Sequence, residues 1–239
     1  MQKKAIVVGA SSGIGRDLAM RLAMKGYRVG ITGRRQNLLN EIKKQNPERF
    51  ITSNFDISDA LITKKKLEDL VSELGGLDLL VLCSGTGEIN EDLDLSIDQK
   101  VIGTNVFGFT QIMNWSFNFF KEQNSGHIVS ITSIAGLRGS RYTPSYNAFK
   151  AYQIIYLEGL RQKAHNSKIS LTITDVRPGF VDTAMAIGEN LFWLVPVKKA
   201  AKQIFDAIIA EKKVVYISKR WRIIASVYKN IPSILYNKM

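Results

Sequence analysis

The sequence is poor in cysteine, histidine and proline, and its last stretch has no acidic residue. One cysteine, Cys83, stands among 239 residues, which rules out a disulfide within the chain and suits a reducing compartment. It ends an apolar run and reads as a buried structural thiol rather than a nucleophile. The two histidines, His127 and His165, lack metal-ligand spacing with cysteines or carboxylates. Both read as structural or solvated, and no metal is expected. No Pro/Gly/Ser-rich linker, charge block or repeat divides the chain, so residues 1–239 are expected to form one domain. The few apolar residues before Gly9 are too short a run for a signal-peptide core. The most apolar stretch, Val101–Phe120, carries Asn105, Gln111, Asn114 and Asn118, which an isolated membrane helix would leave unpaired in lipid. A helix apolar nearly all round is better read as buried, one side on the sheet and the other on a partner subunit. A cytoplasmic protein is therefore expected, with room for peripheral contact at the inner face of a membrane.

What is present alternates. Short apolar runs near Ala5–Val8, Arg28–Thr32, Phe50–Thr52, Leu77–Leu82, His127–Ile131, Ser170–Val176 and Val214–Ile217 read as strands. Between them, helical periodicity fits Ile14–Lys25, Gln36–Gln45, Ser58–Leu74, Ile97–Lys121, Ser145–His165 and Lys198–Ala210. This alternation predicts an α/β fold of Rossmann-like, doubly wound type. Its seven-stranded, mostly parallel sheet would carry helices on both faces and the ligand at the strands' C-terminal ends.

The first strand runs into Gly9-Ala10-Ser11-Ser12-Gly13-Ile14-Gly15 and then a helix, the setting in which a glycine-rich turn holds a dinucleotide. Gly9 permits the tight turn, Gly13 a close backbone approach to a pyrophosphate, and Gly15 close helix packing. The helix N-terminus offers N–H groups to phosphate.

Further on, Tyr146 and Lys150 stand four residues apart, on one face of a helix, and Ser133 lies 13 residues before the tyrosine. A free phenol has a pKa near ~10 and is a poor acid or base at neutral pH. The Lys150 ammonium beside it is expected to pull that pKa down, and Ser133 could hold the same substrate oxygen.

With these motifs in this order, the chain from Lys4 to Thr183 resembles the short-chain dehydrogenase/reductase family. The resemblance implies a catalytic set of Asn105, Ser133, Tyr146 and Lys150. Asn105 would hold a water linking Lys150 to solvent, and Tyr146 and Lys150 would also contact the cofactor, Lys150 at the nicotinamide ribose. It implies a nucleotide site of Gly9, Ser11, Ser12, Gly13, Ile14 and Gly15, with Asp56 and Ile57 at the adenine and Gly85 near the ribose. Pro178, Gly179, Val181 and Thr183 would lie beside the nicotinamide. The chain departs from the family at Leu82-Cys83-Ser84-Gly85, where an asparagine usually steadies the central sheet, and at Val8, usually a threonine.

The end of the second strand carries Arg34 and Arg35 where an acidic residue would favour NAD(H). Guanidinium groups suit a 2′-phosphate, so NADP(H) is favoured over NAD(H), with Arg34 the better-placed reader. The implied reaction is reduction of a carbonyl to a secondary alcohol, or its reverse. The rival reading is a non-catalytic nucleotide-binding regulator or scaffold.

Residues 184–197 should form a flap; Met185, Ile187, Leu191, Phe192, Trp193, Leu194 and Val195 make it apolar. That suits a bulky hydrophobic or lipid-linked substrate, or else a subunit contact. The net charge is +12, and beyond Glu211 no Asp or Glu remains. Residues 218–239 mix Lys219, Arg220, Arg222 and Lys229 with Trp221, Ile223, Val227, Ile234 and Leu235. Such a basic amphipathic extension could meet anionic lipid, close the pocket, or pack on a neighbouring subunit. Nucleic acid is not expected, because no reader motif accompanies the charge. A homodimer or homotetramer is what the family resemblance implies.

Overall fold

Strand β1 (Lys4–Val8) shows how the sheet is built. All of Ala5–Val8 is buried, so the strand reads as an unbroken apolar run, yet its side chains part to two sides. Ala5 and Val7 enter one core, Ile6 and Val8 the other. The remaining strands are β2 (Arg28–Gly33), β3 (Phe50–Asn54), β4 (Leu79–Leu82), β5 (Ser125–Ile131), β6 (Ser170–Pro178) and β7 (Val214–Ile217). They form one seven-stranded sheet in the order β3-β2-β1-β4-β5-β6-β7, and every pairing is parallel. The order reverses between β1 and β4, and a doubly wound sheet opens a crevice at such a switch point. These relations come from a computed structural model that describes residues 2–186 and 192–237.

Helices α1 (Gly13–Met24), α2 (Gln36–Gln45) and α7 (Val197–Ile209) bury Leu18, Leu22, Leu39, Ile42 and Ile204 on the Val7 side. Helices α3 (Ala60–Leu74), α5 (Phe109–Gln123) and α6 (Pro144–Asn166) bury Leu67, Leu70, Ile112, Phe117 and Leu157 on the Ile6 side. α3 starts later than Ser58, because Ser58 bonds Asp56 and Asp59 serves as N-cap, accepting from Ile62 N. It stops at Gly75, which takes the left-handed conformation at φ 75°.

The single helix expected over Ile97–Lys121 is instead interrupted. α4 (Leu95–Ile102) passes into a π-helical turn at Gly103–Gly108 before α5 begins. Packing accounts for the glycine at its end: a Cβ on Gly108 would stand 2.7 Å from the Ile57 side chain and 2.8 Å from its carbonyl oxygen. After β7 come α8 (Arg220–Asn230) and α9 (Ser233–Tyr236), separated at Pro232 as proline requires.

Candidate active site

The crevice starts at the β1–α1 turn. Gly9 has φ 87°, and a Cβ there would lie 2.6 Å from Ser84 N, so the turn packs directly on the loop after β4. Gly15 is as constrained, since its Cβ would strike the Gly9 carbonyl oxygen. Ser12 is the N-cap of α1 but makes no side-chain cap bond, and the first turn holds no acidic residue. The leading N–H groups of Gly13, Ile14 and Gly15 are therefore presented to the crevice without a capping side chain, as an anion site needs.

Two arginines edge this turn differently. Arg35 lies on it, donating from Nη2 to the Ser11 and Ser12 hydroxyls at 2.8 and 2.6 Å. Arg34 is exposed and reaches Asp56 at 3.5 Å. Burial pushes the Asp56 carboxyl up, but the Ser58 N–H and hydroxyl, joined by Arg34, outweigh it and hold the pKa low. Ile57 is buried, and its carbonyl accepts from Gln111 Nε2. Gln111, which the sequence offers only as a polar break in an apolar helix, thus shapes the strand-three edge of the site.

At the centre, the missing family asparagine is replaced by backbone. The Cys83 and Ser84 N–H groups both donate to the Val8 carbonyl, at 2.8 and 3.0 Å, joining β4 to β1 without a side chain. Burial pushes the Cys83 thiol up to about 12, against the pull of Lys150, so it is no nucleophile. Gly85 and Gly87 keep the following loop low. A Cβ on Gly85 would stand 3.2 Å from Asn105 Oδ1, and one on Gly87 2.8 Å from the Tyr146 ring.

Asn105, in the π-turn, is fully buried. Its side chain staples that loop: Oδ1 accepts from Thr86 N at 3.1 Å and Nδ2 donates to Thr86 O at 2.5 Å. Its backbone carbonyl accepts from Gln153 Nε2 at 2.9 Å. The Gln153 side-chain amide thus stands between the Asn105 carbonyl and Lys150.

Ser133 follows β5 and caps the 3-10 turn Ile134–Leu137, accepting from Ala135 N at 3.1 Å. Tyr146 and Lys150 stand on successive turns of α6, which Pro144 opens at its first position. The Lys150 Nζ is 5.7 Å from the Tyr146 ring centre and donates to Ile131 O and Gln153 Oε1, both at 3.0 Å. Burial raises the Tyr146 pKa, opposed by a hydrogen bond from Ser133. The expected lowering by Lys150 does not prevail, because burial dominates. Burial also brings Lys150 down to about 8, with Asp175 and then Cys83 opposing. Asp175 is fully buried and is held by Thr132 Oγ1 at 2.5 Å and by Arg177 at 2.7 Å.

The far wall follows β6. Val181 pairs with Val195, and Val195 N donates to Phe180 O at 3.0 Å. The Thr183 methyl would lie 3.5 Å from a Cβ on Gly13, so the Pro178–Thr183 loop faces the glycine-rich turn across the crevice. Gly179 is obligatory for a reason the sequence hides: a Cβ there would run into the Trp221 indole. Trp221, on α8, is buried against Phe180, Phe192 and Trp193, with ring centres 5.3–5.9 Å apart. Flap residues Ile187 and Leu191 lie outside the described residues, while Met185, Phe192, Trp193 and Leu194 are exposed.

The C-terminal extension has two faces. Trp221 and Ala225 turn inward, while Ile223 and Val227 are 72% and 62% exposed. Arg138 ties it down, donating to Ile231 O at 2.8 Å and lying 4.2 Å from the Tyr236 ring centre. Elsewhere His127 is buried, hydrogen-bonded to Thr174 Oγ1 at 2.8 Å. No helix among the described residues is long and apolar enough to cross a membrane.

A doubly wound sheet whose switch-point crevice holds a serine, a tyrosine and a buried lysine defines an α/β oxidoreductase. The chain belongs to the short chain dehydrogenase family, whose pattern matches residues 3–191. An uncharacterised oxidoreductase of Myxococcus xanthus is 32% identical over 193 residues, 79% of this chain and 76% of its own. One of Staphylococcus saprophyticus is 31% identical over 214 residues, 87% of this chain and 89% of its own. In fold, a short-chain dehydrogenase from Streptomyces avermitilis superposes with a TM-score of 0.84 at 23% identity, covering 96% of this chain and 92% of that one. ElxO, solved with NADP bound, gives a TM-score of 0.79 at 22% identity, covering 91% of this chain and 97% of its own. A short-chain dehydrogenase/reductase of Burkholderia phymatum, in complex with NAD, gives 0.83 at 19% identity, covering 94% and 92%.

Proposed function

We propose that this oxidoreductase is an NADP(H)-dependent reductase that turns a carbonyl on a bulky, apolar substrate into a secondary alcohol. The observation that carries the reading is the convergence of Ser133, a protonated Tyr146 and Lys150 on one crevice. The uncapped α1 N-terminus, the low glycine floor and the two arginines fit a phosphorylated dinucleotide, with NAD(H) the alternative. When bound, that cofactor supplies the hydride to the carbonyl carbon. Tyr146, a phenol protonated at neutral pH, donates its proton to the carbonyl oxygen. Ser133 donates a hydrogen bond to the same oxygen, and its effect grows as negative charge develops there. Lys150 holds the ribose and steadies the phenolate left behind. Asn105 acts one step back, by fixing the loop after β4.

Substrate class is argued from the far wall. Phe180, Phe192 and Trp193 supply aromatic surface backed by the buried Trp221, with the Arg220 guanidinium 5.8 Å from the Trp193 ring centre. The outer face of α8 and α9, with Ile223, Val227, Ile234 and Leu235 exposed beside Arg220, Arg222 and Lys229, fits an anionic lipid surface beside the site mouth. The exposed Phe107 and Ile155, on the π-turn and α6, fit a second copy of the chain as a homodimer or homotetramer. A non-catalytic role as nucleotide-binding scaffold would not need Ser133, Tyr146 and Lys150 together. The test is NADPH oxidation by purified protein against a panel of short and long-chain ketones and aldehydes. Turnover rising with chain length is expected; absence of turnover on every carbonyl, with NADPH still bound, overturns the enzymatic reading.

A further inference from the structure

Gln153 is 2% exposed and sits in the middle of the catalytic group, although it would touch neither substrate nor cofactor. Its Oε1 accepts from Lys150 Nζ at 3.0 Å, and its Nε2 donates to the Asn105 carbonyl at 2.9 Å. The direction of the amide is unambiguous, since an ammonium can only donate and a carbonyl can only accept. Both ends are satisfied in a place where an unpaired polar group would be costly.

The bridge is part of a longer tie. The Asn105 side chain holds Thr86 after β4, its carbonyl holds Gln153, Gln153 holds Lys150, and Lys150 also holds Ile131 O at the end of β5. Two of the three ammonium protons are thereby assigned. The third has its opening toward Gly85, where a Cβ would stand 3.8 Å from Nζ. On the reading that Lys150 binds a cofactor ribose, this leaves one donor, aimed by two fixed partners. A carboxamide also neither gives nor takes a proton near neutral pH, so the path from Lys150 to Asn105 is a tether and not a proton wire.

We propose that Gln153 is the positioning residue of Lys150: it fixes the ammonium for its ligand and closes the Asn105 side of the lysine to proton exchange. This rests on the proposed role of Lys150 but is separable from turnover. The groups facing the ammonium are Asp175 from β6, itself paired with Arg177, Cys83 from the end of β4, and Tyr146 one turn back on α6. Gln153→Met keeps the length and removes the acceptor, whereas Gln153→Glu keeps the acceptor and adds a charge.

The measurement is the titration of the Lys150 Nζ by NMR of lysine-labelled protein, assigned with Lys150→Arg, alongside NADPH affinity by fluorescence. Loss of one hydrogen bond to a charged group corresponds to about 1–2 pH units, so Gln153→Met should lower the Lys150 titration by that amount. Gln153→Glu should raise it. NADPH affinity should fall about tenfold or more in Gln153→Met and less in Gln153→Glu. Both titrations at the parent value, with affinity unchanged, overturn the proposal. Should Gln153→Met fail to fold, the sign of the Gln153→Glu shift still decides. A parent protein that titrates as expected yet reduces no carbonyl defeats the enzymatic reading and leaves this one standing.

Discussion

The Arg35 guanidinium spans the Ser11 and Ser12 hydroxyls, fastening the end of β2 to the glycine-rich turn. Arg34, one residue earlier, directs its side chain away from the turn and, among the described residues, joins it to Asp56 in an exposed pair. The two should therefore separate in binding experiments. Arg34→Ala should reduce the preference for NADPH over NADH, about tenfold for one charge-assisted contact, and leave NADH affinity alone. Arg35→Ala should loosen the turn and weaken both cofactors together. Titrating each variant with both reduced cofactors decides it; an unchanged preference in Arg34→Ala rejects that residue as the phosphate reader.

Tyr146→Phe removes the proton donor and should leave cofactor binding nearly intact. Turnover should fall by about 10²–10⁴-fold, the scale of general acid catalysis, while NADPH affinity stays within about twofold. Single-turnover kinetics on preformed complex provide the check, and undiminished reduction would remove Tyr146 from the mechanism.

Lys150, brought down to about 8 by burial, would bind the ribose of the proposed cofactor best when charged. It carries its proton below that pH and loses it above. NADPH affinity should therefore decline as pH rises through about 8, with the midpoint displaced upward once ligand is bound. Lys150→Met should bind weakly with no such pH dependence, as isothermal titration across pH 6.5 to 9.5 would reveal.

His127, brought down to about 4 by burial and hydrogen-bonded to Thr174, resists protonation in the fold. The unfolded chain binds a proton near pH ~6.5, so stability present above that pH is lost as pH falls toward 4. The full loss amounts to about 3 kcal/mol, from the linkage of a depressed histidine. His127→Gln should flatten the fall in melting temperature between pH 6.5 and 4.

The outer face of α8 and α9 should give weak binding to anionic vesicles that salt removes, each cation near the surface adding about ~1 kcal/mol. Replacing Ile223 and Val227 by serine should abolish sedimentation without touching the inward Trp221. Full-length protein that stays in the supernatant at low salt excludes the lipid contact.

Much of the architecture was legible because it is written in local pattern. The unbroken apolar run of β1, the glycine spacing at Gly9, Gly13 and Gly15, and the Tyr146–Lys150 step on α6 depend on neighbours in sequence. What was hidden depends on partners far along the chain. Gly179 is constrained by Trp221, Ile57 by Gln111, and Lys150 by an amide whose other end rests on Asn105. Gln153 left one trace: a polar residue three after Lys150, on the face that continues into the buried Leu157. The direction of the Tyr146 shift is hidden for the same reason. Helical spacing brings a cation near, but it does not reveal that burial prevails.

The packing of Trp221 gives the protein an optical reporter of its own. Of three tryptophans, Trp193 and Trp221 lie 5.9 Å apart over the site wall, while Trp115 stacks on Phe119 on α5. In a Trp115→Phe background, all indole emission would come from the flap and α8. Occupancy of the crevice could then be followed by colour and intensity alone, in a chain with neither label nor assay substrate.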